Sequence, residues 1–486
     1  MPLPLLTPAH FPDYQLNHEL PETVLQFGTG ALLRGLVDAI IDESNQGSNP
    51  MGRVVAVAST QSGRSQALND QRGMFTHVLE GKFEGETVQK AYVNTGISRV
   101  LPANTDWDAV MEVAKSPALK WVISNTTEIG IQYHKDDLQA GPPQSFPAKL
   151  TAVLWKRYRA FEGDPSKGLV ILPTELITDN GQQLKRIVQK QVEDHQLSPA
   201  FWEWVETSCV FCNTLVDRIV TGTPGPERVE ELQASWGYTD HLITVSEPYA
   251  LWAIEAPEKW HEHIGFSDAQ KGVILSEDIQ PYRERKLRIL NGTHTFCVAL
   301  GFLRGLTTVR EMMEDDYMSN FVKRIALEEI PASLEGEVTD AESFAKEVLE
   351  RFTNPYLDHK LLDICFQYTT KMKARNLLSI HRYIQKQGKV PLAMVEGFAA
   401  YLHFLRPREK AENSYYGMWN GNRYPINDAF AEQWMQLWEE YSDDNPEKWL
   451  HSVLQDQSLW GEDLTELPGF ASEVEKAFVS WTSKQD

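Results

Sequence analysis

The sequence predicts an α/β protein, with a Rossmann-type dinucleotide-binding domain over residues 1–278 and a mostly α-helical C-terminal domain over residues 279–486. Three observations predict it. Short β-branched runs alternate with helical patterns in the first half. The first of those runs ends in Gly28, Thr29 and Gly30 and leads straight into a helical pattern. Beyond Tyr282 strand-like runs become rare. Strands alternating with helices imply parallel βαβ units, because a parallel neighbour needs a crossover connection.

Taken in order, residues 23–27 (TVLQF) read as the first strand. Residues 31–43 carry Leu32, Leu33, Leu36, Val37, Ile40 and Ile41 at helical spacing. Residues 53–59 (RVVAVAS) read as the second strand, and 121–124, 169–172, 209–212 and 273–275 as further short buried strands. Residues 107–115 and 149–162 are helical between them. In the second half, 283–303, 344–352, 360–387 and 391–404 are helical. Residues 410–428, rich in Asn, Gly and Tyr, read as a surface loop.

Composition narrows the function. The chain has 486 residues, with 46 Lys plus Arg against 68 Asp plus Glu and a net charge of −22. Such a balance argues against nucleic acid or an anionic membrane as the main partner. Four cysteines make no disulfide framework. The first ten residues lack the basic start of a signal peptide, and no uncharged apolar run of about 18 residues appears. A cytoplasmic protein with a small-molecule substrate is expected, its oligomeric state open.

In a dinucleotide-binding turn, glycines allow a tight bend and close approach of the backbone to the pyrophosphate. The next helix then directs its positive end at the phosphates. Here the usual third glycine position is Leu33, and Gly35 follows two residues later, so an ordinary strand-to-helix turn fits as well. The second strand runs into Ser59 and Thr60 rather than an acid. Arg64 either faces a 2′-phosphate or is a solvated loop residue, which leaves NAD against NADP open on this rule.

The segment 282–295 (YRERKLRILNGTHT) opens the helical half. At about 100° per residue, Lys286 and His294 lie about 80° apart and Asn291 and His294 about 60° apart. A lysine exchanges a proton where desolvation or nearby cations bring its pKa toward neutrality, and an asparagine donates to a developing alkoxide. The same spacing also fits a helix with a solvated basic face and a core histidine.

These blocks together resemble the polyol-specific long-chain dehydrogenases, the mannitol dehydrogenase family. Residues 28–35 (GTGALLRG) resemble its glycine signature, 213–219 (NTLVDRI) its N-[ST]-x-V-D-R-I block, and Lys286, Asn291 and His294 its K-x4-N-x2-H signature. Residues 124–130 (SNTTEIG), 147–151, 282–286 and 354–356, with Lys371 and Arg375, are similar to the hexuronate-reducing branch, whose members interconvert tagaturonate and altronate. The resemblance implies a metal-independent reductase using NAD. Phe27, Gly28, Thr29, Gly30, Leu32, Leu33 and Arg34, with Ser59, Thr60, Asn125 and Thr126, would hold the cofactor. Lys286 would be the proton donor and acceptor, Asn291 and Asn213 would donate to the reacting oxygen, His294 would position that oxygen or Lys286, and Glu128 would line the site and relay the proton to solvent. Fructuronate and mannitol are the alternative substrates within the family. A nucleotide-binding sensor without catalysis is the alternative outside it.

A uronate carboxylate needs a cation. Lys371 and Arg375, one helical turn apart, are the first candidates, although Lys371, Lys373 and Arg375 also read as a solvated face. Arg218 and Arg288 are weaker candidates. No metal site is expected: Cys209 and Cys212 form a C-x2-C with no second pair, and His261 and His263 lack a third ligand. The tryptophans read as core anchors, and residues 413–422 (NSYYGMWNGN) as an ordered loop rather than a lid.

Overall fold

The computed structural model describes residues 3–10, 18–47, 50–59, 63–126, 130–138, 141–266 and 272–482. Thr60 and Glu128, both named above, lie outside the described residues. The chain divides into two compact units. One is Met1–Glu80 with Thr87–Ile279, and the other is Gln280–Asp486 with Gly81–Glu86.

The strands before the helical half are β1 (Glu22–Phe27), β2 (Arg53–Ala58), β3 (Phe75–Phe83), β4 (Glu86–Asn94), β5 (Ile97–Pro102), β6 (Trp121–Ser124), β7 (Val170–Pro173), β8 (Val210–Phe211), β9 (Asn213–Asp217), β10 (Val220–Gly222), β11 (Thr244–Ser246), β12 (Leu251–Glu255) and β13 (Val273–Ser276). Six form one parallel sheet in the order β5-β2-β1-β6-β7-β8. Every residue of β2, β6 and β7 is buried. That is why they read as unbroken apolar runs: helices cover both faces of a parallel sheet. Val24, Val54 and Ile123 pack into one core, and Leu25, Val55 and Val122 into the other. Strand order reverses beside β1, so the crevice at the carboxyl ends of β1 and β6 is the topological switch point, where open α/β sheets bind ligands.

Two smaller sheets, β10-β11-β3-β4 and β13-β12-β9, complete this part. Most of their strands were not foreseen. β4 is largely exposed and polar, and β10 and β11 have three residues each, too few to show alternation.

The second unit is helical, with three corrections. The helix expected over 283–303 is not continuous α-helix: Gln280–Arg285 and Thr293–Leu303 flank a π-helical segment, Lys286–Gly292. The stretch 360–387 is broken at Gln367, whose φ is 53°, and holds another π-helical segment, Met372–Leu377. Residues 410–428 are not a surface loop. They lie in an antiparallel meander of β14 (Glu409–Ala411), β15 (Ser414–Trp419) and β16 (Asn422–Ile426). Trp419 pairs with Asn422 across a two-residue turn, with φ of 47° at Asn420 and 76° at Gly421. Positive φ at both central residues is what a tight hairpin matching the strand twist requires, and Asn-Gly meets it.

Candidate active site

Gly28 leaves β1 with φ 129°, and its N–H donates to the Val57 carbonyl at 3.0 Å. A Cβ there would come within 2.8 Å of Leu33 Cδ1 and 2.9 Å of the Asn125 carbonyl oxygen. At Gly30 a Cβ would meet nothing within 4 Å, so this side of the turn faces open space. The third glycine role falls to Gly35, where a Cβ would come within 2.7 Å of Val220 Cγ1. It lets the helix, π-helical over Leu33–Val37, lie close on β10. A glycine bend, an open side and a helix start at the switch point fit a dinucleotide pyrophosphate.

The other residues named for this turn divide. Gly28, Thr29, Gly30 and Leu32 are half-buried around it, and Ser59 is exposed beyond β2. Phe27 and Leu33 are core residues, Phe27 packing on Phe146 at 5.1 Å. Arg34, expected to meet the cofactor, is instead buried beneath the turn. Its Nε donates to Thr244 Oγ1 at 3.0 Å and a terminal nitrogen donates to the Thr29 carbonyl at 2.6 Å. Burial, with Arg64 adding to it, lowers its pKa to about 10.

β6 delivers a second loop to the same end of the sheet. The Asn125 N–H donates to the Phe27 carbonyl at 3.1 Å, and Asn125 Nδ2 to the Thr174 carbonyl at 3.0 Å. The Thr126 N–H and hydroxyl both donate to Glu175 Oε1 at 2.9 Å, and the Ser124 hydroxyl to Oε2 at 3.1 Å. Glu175 is 3% exposed, and burial raises its pKa against these donors. It was missed in the sequence because it belongs to no motif and its partners lie some 50 residues upstream. Asn213 is also engaged. Its Nδ2 donates to Glu255 Oε1 at 2.7 Å and its Oδ1 accepts from the Gln182 N–H at 3.1 Å. A carboxamide nitrogen carries two N–H bonds, so one donor remains.

In the helical unit, Lys286, Asn291 and His294 share one helical run. In an α-helix, residues five apart lie about 140° around the axis. The wider turn that i→i+5 bonding makes in a π-helix reduces that angle. The π segment Lys286–Gly292 thereby turns Asn291 toward the side of Lys286 relative to α-helical spacing. His294 is 8% exposed, stacks on Phe352 at 4.2 Å and meets His359 edge-on at 5.3 Å. Burial pushes its pKa well below the ordinary value, and His359, Arg375, Arg351 and Lys371 push it the same way. The ring is therefore neutral, and its Nε2 has no hydrogen-bond partner among the described residues.

The π segment Met372–Leu377 is bonded to Lys286–Gly292. Arg288 donates to the carbonyls of Ala374 and Arg375, both at 2.8 Å, and pairs with Glu284 at 3.3 Å. Arg375 donates to Thr295 Oγ1 at 3.4 Å, and that hydroxyl donates to the Asn291 carbonyl at 2.8 Å. Lys371 Nζ donates to the Ile364 carbonyl at 2.9 Å. Burial lowers the pKa of both Lys371 and Arg375, and neither forms an ion pair among the described residues.

The four cations proposed for a carboxylate thus separate. Arg288 is 5% exposed and structural, a correction to its candidacy. Arg218 is corrected likewise: it sits in the Rossmann-type unit and donates to the carbonyls of Glu247, Gly35 and Pro248 at 2.8, 2.8 and 3.4 Å. Lys371 and Arg375 remain, beside His294.

Cys209 and Cys212 are buried free thiols whose pKa values burial raises to about 12. Among the described residues no group of three or more His, Cys, Asp or Glu could hold a metal ion, and no helix is long and apolar enough to cross a membrane. Trp434 and Trp438 are core anchors, their indole N–H groups donating to Thr369 Oγ1 and the Leu405 carbonyl.

Known proteins agree with this architecture. The mannitol dehydrogenase Rossmann domain matches residues 22–265, and the mannitol dehydrogenase C-terminal domain matches residues 278–481. The chain is 37% identical over 462 residues to the altronate oxidoreductase of Bacillus subtilis (strain 168), covering 95% of this chain and 93% of that one. The ternary complex of Pseudomonas fluorescens mannitol 2-dehydrogenase with NAD and D-mannitol superposes with a TM-score of 0.67 at 20% identity, over 96% of this chain and 93% of that one. A substrate-free D-sorbitol dehydrogenase superposes with a TM-score of 0.74, also at 20% identity, over 99% and 96%. Those two show the fold, and the domain matches and the curated relative show the family. The chain belongs to the mannitol dehydrogenase family and is an oxidoreductase acting on CH–OH groups.

Proposed function

We propose that the chain interconverts tagaturonate and altronate with NAD(H), Lys286 handling the proton. The observation that carries this reading is the pair Lys371 and Arg375. Both lack an ion-pair partner among the described residues, and both lie near His294 on the run bonded to the Lys286 helix. A neutral polyol has no need of two cations in a chain of net charge −22, whereas a sugar acid does. The name of the Bacillus subtilis relative supports the same reading.

Gly28, Thr29, Gly30 and Leu32, with Ser59, Asn125 and Thr126, would hold the dinucleotide. When bound, NADH supplies the hydride. In reduction, the Lys286 ammonium gives its proton to the ketone oxygen as that oxygen becomes a hydroxyl, and in oxidation the amine takes the proton back. Asn291 donates an N–H to the same oxygen, stabilising charge as it develops. Asn213 would add its remaining donor, and Glu128 would return the proton to solvent. His294 is neutral with Nε2 open, so it orients a substrate hydroxyl without adding charge. Lys371 and Arg375 hold the carboxylate.

NADH oxidation measured in parallel with tagaturonate, fructuronate and fructose, and repeated with NADPH, tests the reading. The highest kcat/KM is expected with tagaturonate and NADH. A protein that binds NADH and turns over none of the three sugars would defeat it.

A further inference from the structure

The meander β14–β16 takes no part in the chemistry proposed above. It contributes one wall of a cleft in the helical unit, lined by His403, Arg406, Arg408, Met418, Trp419 and Asn420. The tight Asn420–Gly421 turn fixes that wall, and the Trp419 indole N–H donates to the Leu303 carbonyl at 2.6 Å, which pins the ring. The half-buried guanidinium of Arg406 lies over Trp438 at 4.4 Å and Tyr441 at 5.1 Å. Burial lowers its pKa, and Arg408 beside it lowers it further.

In a chain with 22 excess negative charges, these two cations crowd each other and neither forms an ion pair among the described residues. Asp443 is near enough to favour the charged form of Arg406, yet it accepts a hydrogen bond from the Tyr441 hydroxyl. His403 adds no charge near neutrality, because burial holds its pKa at about 4. Aromatic faces attract a guanidinium but do not neutralise it, and two like charges side by side are costly without a counter-charge. The rigid donor fork of a guanidinium matches carboxylate and phosphate oxygens.

We propose that this cleft binds a small oxyanion, the carboxylate or phosphate group of a metabolite, between Arg406 and Arg408, with Met418 and Trp419 against its apolar part. The site is separate from the Lys286 block and does not depend on the activity proposed above.

Isothermal titration of the full chain, saturated with NADH and held at constant ionic strength, tests it with inorganic phosphate, citrate and chloride as probes. Saturable binding of phosphate or citrate, and not of chloride, is expected. A response to phosphate alone identifies a phosphate ligand, and a response to citrate alone a carboxylate. Arg408→Gln, at an exposed position, should weaken binding at least about tenfold, since charge-assisted hydrogen bonds are lost. Arg406→Gln should do the same, with an unchanged urea-unfolding midpoint as the check that the ring-stacked site still folds. Binding that persists in Arg375→Gln belongs to this cleft rather than to the carboxylate site proposed above. The proposal is overturned if neither anion binds above chloride, if both cleft variants keep wild-type affinity, or if only Arg375→Gln abolishes binding.

Discussion

In the proposed reaction, the lysine that would give and take a proton is separable from the groups that would hold the cofactor. Lys286 lies in the π segment of the helical unit, whereas the glycine bend belongs to the Rossmann-type unit. Lys286→Ala should therefore lower kcat by about 10²–10⁴, the usual worth of a positioned acid or base, and leave NADH affinity near wild type. A fluorescence titration with NADH beside steady-state rates checks both, and a near-normal rate would move the proton role to another group. In the proposed reaction Arg375 acts differently, since it would meet the part of the substrate that does not react. Losing a charge-assisted hydrogen bond raises KM for tagaturonate by about 10–100-fold in Arg375→Ala, while fructose, which has no carboxylate, is little affected. Equal losses on both sugars would mean that Arg375 merely braces Thr295 and the Asn291 carbonyl.

At the scale of elements, the helix after the glycine bend joins cofactor geometry to stability. Gly35 is its contact with β10, and Gly35→Ala drives a methyl into Val220, an overpacking that costs about 1–3 kcal/mol and shows in urea unfolding. The same helix buries two carboxylates. Asp38 is fully buried, and burial raises its pKa from 3.8 to about 7; Asp42 is raised to about 6. Gln26 donates to Asp38 Oδ2 at 3.3 Å, but Asp38 Oδ1 and Gln26 Oε1 have no partner among the described residues. Below pH 3.8 Asp38 is protonated in both the folded and unfolded chains. As pH rises toward 7 the unfolded chain ionises first, so stability falls across that interval and the loss levels off above the folded value. Asp38→Asn removes the Asp38 share of that slope and leaves the Asp42 share. The variant should gain over wild type between pH 5 and pH 8, reaching roughly 2–4 kcal/mol at the upper end. An unchanging difference across those two pH values would show that Asp38 is ionised in the fold.

For the whole molecule, the parallel sheet and the helical half were legible because burial on both faces writes unbroken apolar runs, as in residues 54–58 and 121–124. The Asn420–Gly421 hairpin was legible in principle, Asn-Gly being the strongest short hairpin signal, but the polar composition around it read as a loop. The π segments were not legible, because a shift of one residue in hydrogen bonding leaves no mark on hydrophobic spacing. Nor were the partners of Arg34, Arg218 and Arg288: a sequence shows a cation but not the carbonyls that saturate it. One property of the entire chain was fully legible and has its own consequence. A net charge of −22 repels an anionic substrate at long range, while in the proposed site Lys371 and Arg375 would attract it only nearby. Salt separates the two effects, because the screening length is about 30 Å at 0.01 M and about 8 Å at 0.15 M, and partly buried charges are screened less than exposed ones. Raising ionic strength across that range removes most of the distant repulsion and leaves most of the local attraction. The value of kcat/KM for tagaturonate should then rise about two- to tenfold, while that for fructose stays level. Arg375→Gln should show the same relative rise from a lower starting value, since the repulsion belongs to the chain and not to the site. A fall with added salt for tagaturonate alone would show instead that the local cations govern the approach.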